Sequence, residues 1–170
     1  MAIYPYYLQG ATISPCKKYR YDLIRCWASI TQPLGVIMLN PSKADASKDD
    51  STIKKLFKIA RNNGFGGIEV VNLFALRSTD PTALTTSTDP VGDKNYEYID
   101  RIVEELGAVS KILIAWGSHK VANPEAERLF NRHPDQEFYC LKINADGNPK
   151  HPLYCKDDSE LIHFPNPAKQ

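Results

Sequence analysis

A chain of 170 residues, 42% of them hydrophobic, is long enough to bury a core and needs no second domain. Lys and Arg number 21 against 20 Asp and Glu, which excludes the basic excess of a large nucleic-acid-binding face and leaves room only for a small local phosphate site. Cys16, Cys26, Cys140 and Cys155 form no C-x-x-C pair and the four histidines share no H-x-x-x-H spacing, so neither a metal nor another cofactor is expected.

The opening MAIYPYYLQG lacks a basic segment followed by a long apolar one, and no apolar run approaches the roughly 18 residues that span a bilayer. The expectation is a soluble, cytoplasmic protein with reduced thiols and no membrane partner. Residues 11 to 27 alternate imperfectly around the turn signal Ser14-Pro15-Cys16-Lys17-Lys18, as an antiparallel hairpin at a sheet edge does.

Leu34 to Leu39 is an almost unbroken apolar run between Pro33 and Asn40-Pro41, the pattern of a strand buried on both faces of a parallel sheet. Pro41 pushes Asn40 out of the helical region, so Asn40 belongs in a tight loop at the carboxyl end of that strand. Asp49-Asp50-Ser51 offers helix caps, Ile53, Leu56, Phe57 and Ala60 follow at helical spacing, and Gly64 closes the helix.

Ile68 to Leu73 is a second strand with Asn72 inside it and Arg77 just beyond. Ser78 to Pro90 reads as a loop. Asp93 is expected to cap a helix carrying Ile99, Ile102, Val103 and Leu106, with Gly107 past its end. Lys111 to Trp116 is a third strand, Ser118 to Asn131 a helix, and Phe138 to Ile143 a fourth strand, followed by a structured turn or loop, Asn144 to Tyr154. The alternation predicts a three-layer α/β/α fold with a mainly parallel central sheet of about four strands. The chain reads as a single domain: an N-terminal hairpin extension (1–33), an α/β core (34–156) and a C-terminal tail (157–170).

Parallel strands would bring their carboxyl ends, and with them Asn40, Asn72 or the Arg77 loop, Gly117 and the His151 loop, to one rim. Open α/β sheets bind ligands there. Each feature also has a plainer reading: Asn40-Pro41-Ser42 as a strand-ending turn, Asn72 as the partner of a buried backbone group, His151 as part of a surface turn.

The order of these features resembles the uracil-DNA glycosylase superfamily. VIMLNPS (36–42) is similar to its first motif, especially the G-I-N-P-G form of the mismatch-specific uracil and thymine glycosylases. EVVNLFALR (69–77) resembles the L-L-L-N-x-V-L-T-V segment whose Asn reads the base, ILIAWGSHK (112–120) the L-L-W-G strand and turn, and NPKHPLY (148–154) the H-P-S-P-L-S segment with its catalytic His and intercalating Leu. More closely, Tyr19-Arg20-Tyr21, MLNPSKAD, VVNLFALRSTDP, AWG and HPLY resemble a bacterial and phage family called domain of unknown function 1643, which brings no established activity with it.

The glycosylase resemblance implies that Asn40 positions water or contacts the sugar. It further implies that Asn72 pairs with a flipped base and that His151 donates a hydrogen bond to the base oxygen as charge builds there. Phe74 would stack on the base or sit in the core; Ser42, Lys43, Arg77 and Lys150 would bind phosphates or remain ordinary polar and charged side chains. Asn40 stands where the most active glycosylases have Asp, and an amide is no general base, so cleavage would be slow or confined to activated bases. Asp45, Asp49 and Asp50 are the nearby replacements, two of them better suited to capping. The second Pro and the Ser of H-P-S-P-L-S are missing, which weakens Leu153 as a wedge. Two alternatives stay open: a non-catalytic module binding a nucleotide or nucleic acid, and a phage- or defence-linked interaction protein using Tyr4, Tyr6 and Tyr7.

Overall fold

The computed structural model describes residues 6–169. Among these, seven strands form one mixed sheet: β1 (Leu8–Ile13), β2 (Arg20–Cys26), β3 (Pro33–Met38), β4 (Gly67–Asn72), β5 (Ile112–Ile114), β6 (Phe138–Cys140) and β7 (Ile162–Phe164). Their spatial order is β1-β2-β4-β3-β5-β6-β7. The helices are α1 (Ser51–Asn62), the single turn α2 (Ala83–Thr86), α3 (Asn95–Arg101), which runs into a π-helical turn at Ile102–Leu106, and α4 (Ala122–Arg132).

The apolar run at 34–39 supplies the central strand β3, paired in parallel with β4 on one side and β5 on the other. Both of its faces are covered. Leu34, Val36 and Met38 join the α1 side chains Ile53, Leu56 and Ile59 in one cluster, and Ile37 joins Ile99, Ile102, Ala126 and Phe130 from α3, the π turn and α4 in another. Each such fully buried side chain contributes about 1.5–3 kcal/mol of transfer free energy. Asp50 caps α1 by accepting a hydrogen bond from the Ile53 N–H at 3.0 Å. At the other end Gly64 has a φ of +83°, the left-handed conformation that glycine adopts without penalty.

The four predicted parallel strands are β3 to β6, and the hairpin is the antiparallel pair β1-β2. Two expectations need correction. The sheet has seven mixed strands rather than about four mainly parallel ones, because the hairpin, at the sheet edge as expected, joins it through the antiparallel pairing of β2 with β4. The tail also contributes β7, antiparallel to β6; of its three residues only Phe164 is buried, too short a pattern to read from sequence.

The helix after the 78–90 segment likewise differs. Asp93 does not cap it, since its carboxylate accepts the Tyr21 hydroxyl at 2.5 Å and the helix starts at Asn95 behind Lys94. Its backbone gives way to a π turn at Ile102–Leu106, closed by the Gly107 N–H on the Ile102 carbonyl, while the expected stripe of Ile99, Ile102, Val103 and Leu106 is buried throughout. The 78–90 segment is irregular apart from α2, which buries Leu84. Of the aromatic start, Tyr4 lies outside the described residues, Tyr7 is exposed, and Tyr6 is tied down by donating to Asp49 at 2.8 Å.

Topology locates the site. From β3 the chain passes through α1 to β4 on one side, while from β5 it passes through α4 to β6 on the other, so a crevice opens outside the carboxyl ends of β3 and β5.

Candidate functional site

A pocket of about 210 Å³ lies at these strand ends. That is below the roughly 300–1,000 Å³ of drug-sized sites and suits one small ring. Asn40, Ser42, Asn72 and His151 line it, and so do Arg20, Asp50, Thr52 and Trp116. A larger cleft of about 430 Å³, also lined by Trp116, contains none of the candidate site residues named from sequence.

Asn40 follows β3, and its Nδ2 donates to the Ser78 carbonyl at 2.9 Å and the Pro41 carbonyl at 3.2 Å, with the Leu76 carbonyl at 3.4 Å. The amide therefore staples the β3 loop to the segment beyond β4. Its nitrogen is committed, and Oδ1 is the atom left to accept a hydrogen bond from a ligand or water.

Asn72, at the end of β4, is 1% exposed, and its Nδ2 has no hydrogen-bond partner among the described residues. An unmet buried donor costs about 1–3 kcal/mol and calls for an explanation. The backbone carrying it is held firmly, since Asn95 Nδ2 donates to the carbonyls of Asn72 at 2.9 Å and Leu73 at 3.0 Å.

His151 precedes a 3₁₀ turn (Pro152–Tyr154), and its Nδ1 accepts the Leu153 N–H at 3.3 Å. In the neutral ring the proton then sits on Nε2, which becomes a donor. Burial lowers the His151 pKa, opposed by the charge of Asp50, so the neutral ring prevails at pH 7. The loop that carries it is tied to the β5 turn, where Gly117, at a φ of +81°, donates its N–H to the Pro149 carbonyl at 2.9 Å.

A pH dependence follows from this burial. The unfolded imidazole titrates near 6.5 and the folded one lower, so between those values the unfolded chain binds more protons. The stability that His151 contributes is present above 6.5 and is lost as pH falls through the folded value. Urea unfolding at about pH 7.5 and about pH 5 should show a smaller loss for His151→Gln than for wild type; equal losses would exclude this linkage.

Of the three neighbouring aspartates only Asp50 lines the pocket, while it also caps α1. Asp49 pairs with Arg25 at 2.8 Å, and Asp45 accepts the N–H groups of Ser47 and Lys48 at 2.9 Å each. Four of the expected contacts do not reach the pocket. Phe74 is 4% exposed inside the α3 cluster, so it takes the core role and has no face to offer a base. Lys43 is exposed, Lys150 is half-buried, and Arg77 donates to the Lys17 carbonyl at 3.3 Å; none of the three is among the pocket-lining residues.

Arg20 and Trp116 are the residues that sequence reasoning missed as site members. Trp116 forms a wall, fixed by its Nε1–H donating to Asn148 at 3.2 Å. Arg20 reaches the pocket because β2 runs antiparallel to β4, which sets the start of β2 beside the end of β4, with the Arg20 N–H on the Ala75 carbonyl at 3.0 Å. The signal available in sequence was its place between two tyrosines in the quoted Tyr19-Arg20-Tyr21. Among the described residues no group of three or more His, Cys, Asp or Glu is placed to hold a metal ion, and no helix is long and apolar enough to cross a membrane.

Sheet and pocket together define an α/β protein with a small pocket, lined by polar and apolar side chains, at the switch point of a parallel core. The chain belongs to the family described as protein of unknown function (DUF1643), which matches residues 20–153. The match spans all of the pocket-lining residues, from Arg20 to His151. Neither the curated proteins nor the solved structures contain a match to this chain.

Proposed function

We propose that the pocket receives a single nucleobase and that the protein is a glycosylase-type hydrolase acting on a modified or mismatched base in DNA. The observation that carries this reading is the meeting of Asn40, Asn72 and His151 in one pocket, with the His151 ring fixed as an Nε2 donor. The resemblance to the uracil-DNA glycosylase superfamily rests on motif order and adds the reaction class.

In this reading Asn72 Nδ2 donates to an oxygen of the flipped base, a partner it lacks among the described residues. The bond between the sugar's anomeric carbon and the base nitrogen breaks, and its electron pair leaves with the base. His151 Nε2–H stabilises the charge that gathers on the base oxygen. Water, accepted by Asn40 Oδ1, adds to the anomeric carbon, and its proton passes to Asp50, the carboxylate lining the pocket. Leu153 and Tyr154, both exposed and separated from His151 by Pro152, supply apolar surface to fill the gap that a flipped base leaves.

Mass spectrometry of bases released from genomic and phage DNA tests this directly. Wild type should release one base or a small set of bases, and Asn40→Ala and His151→Ala should release far less in the same time. The second reading, recognition without cleavage, draws on Asn40 standing in place of a carboxylate and on a net charge of only +1. Saturable nucleotide binding with no released base would establish it.

A further inference from the structure

We infer that the ligand of this pocket carries an oxyanion, a carboxylate or a phosphate, which seats on Arg20. This rests on the reading of the pocket as a nucleobase site and narrows it to bases that bear or adjoin an acidic group. Arg20 is 3% exposed and lines the pocket. One of its terminal nitrogens donates to the Ala44 carbonyl at 2.9 Å, and Nε is buried with no partner among the described residues. No ion pair forms between Arg20 and a described carboxylate, in contrast to Arg25 on the same strand, whose charge meets Asp49.

A buried guanidinium without a carboxylate is costly, and burial lowers its pKa to about 10. Asp50 favours its charge, while Arg77 and Arg25 oppose it. Asn72 Nδ2 is a second orphaned donor in the same pocket. Two buried donors left unmet by the described residues, one of them cationic, match a ligand that brings acceptor oxygens and negative charge. Arg is the side chain best shaped for either oxyanion.

Isothermal titration of the full chain with uracil, 5-carboxyuracil, deoxyuridine monophosphate and inorganic phosphate tests the inference in wild type, Arg20→Met and Arg20→Lys. At least one of the two anionic pyrimidine ligands should bind about 10- to 100-fold more tightly than uracil, the range of a charge-assisted hydrogen bond. Arg20→Met should erase that margin and Arg20→Lys keep part of it. Preference for 5-carboxyuracil places the charge on the ring, and preference for the nucleotide places it on the phosphate.

Equal binding of uracil and both anionic ligands overturns the inference and leaves the nucleobase reading standing. Arg20-dependent binding of phosphate with no binding of any base does the reverse. A margin that survives in Arg20→Met, or silence from all four probes, also overturns it. Should Arg20→Met fail to fold, the wild-type comparison and Arg20→Lys decide.

Discussion

Replacing His151 with Ala should slow base release by about 10²–10³-fold, the usual cost of losing one donor to developing oxyanion charge. Nδ1 accepts the Leu153 N–H, so the donor Nε2–H is fixed in a ring that stays neutral at pH 7. In the proposed reaction this interaction strengthens only as the base departs, so the loss should fall on the single-turnover rate and leave ligand affinity nearly unchanged. The fold should survive, since the Leu153 N–H bond is the hydrogen bond that the ring makes. A single-turnover rate within threefold of wild type would remove His151 from the chemistry.

Asn40 should respond differently to substitution. Asp at this position would set a carboxylate oxygen against the carbonyls of Pro41, Leu76 and Ser78, where the amide now donates. The loop thus selects the amide, and the carboxylate near the pocket is supplied by Asp50 at the start of α1.

Arg25→Met should be the most damaging change to stability, costing about 3–5 kcal/mol by leaving a buried charge without its partner. Arg25 is 0% exposed and satisfied on every side: Nε on Asp49 at 2.8 Å and the terminal nitrogens on the carbonyls of Gly10, Ile24 and Asp45. Those bonds pin the 45–50 segment, which leads into α1 and carries Asp50, to β2. The thermal unfolding midpoint should drop by about 6–20 °C for a chain of this size. Asp49→Asn, which keeps a hydrogen-bonding side chain, should cost less than Arg25→Met. A loss below about 1 kcal/mol in Arg25→Met would show that the pair is dispensable.

The central strand and the helix that follows it were legible because their signals are local. An apolar run bounded by Pro33 and Asn40-Pro41, then Asp50 and a stripe at helical spacing, need only neighbours in sequence to be read. Asn40, Asn72 and His151 stood out for the same reason, as polar residues in or just beyond such segments. Phe74 and Asp93 misled because an aromatic after a strand and an acid before a helix each admit two roles, and packing chooses between them. Phe74 turned into the α3 cluster, and Asp93 met a tyrosine from β2.

The sequence by itself determined the parallel strands β3 to β6, the helices between them and the rim on which a site would form. Hydrophobic period and strand-end breakers depend on residues a few positions apart. Only the tertiary structure decided that β2 lies against β4, that β7 closes the other edge and that Arg20 stands in the pocket with Asp50 and Trp116. Those relations join segments up to about a hundred residues apart, where pairing is set by which edge and which face remain to be covered. No local pattern records that choice.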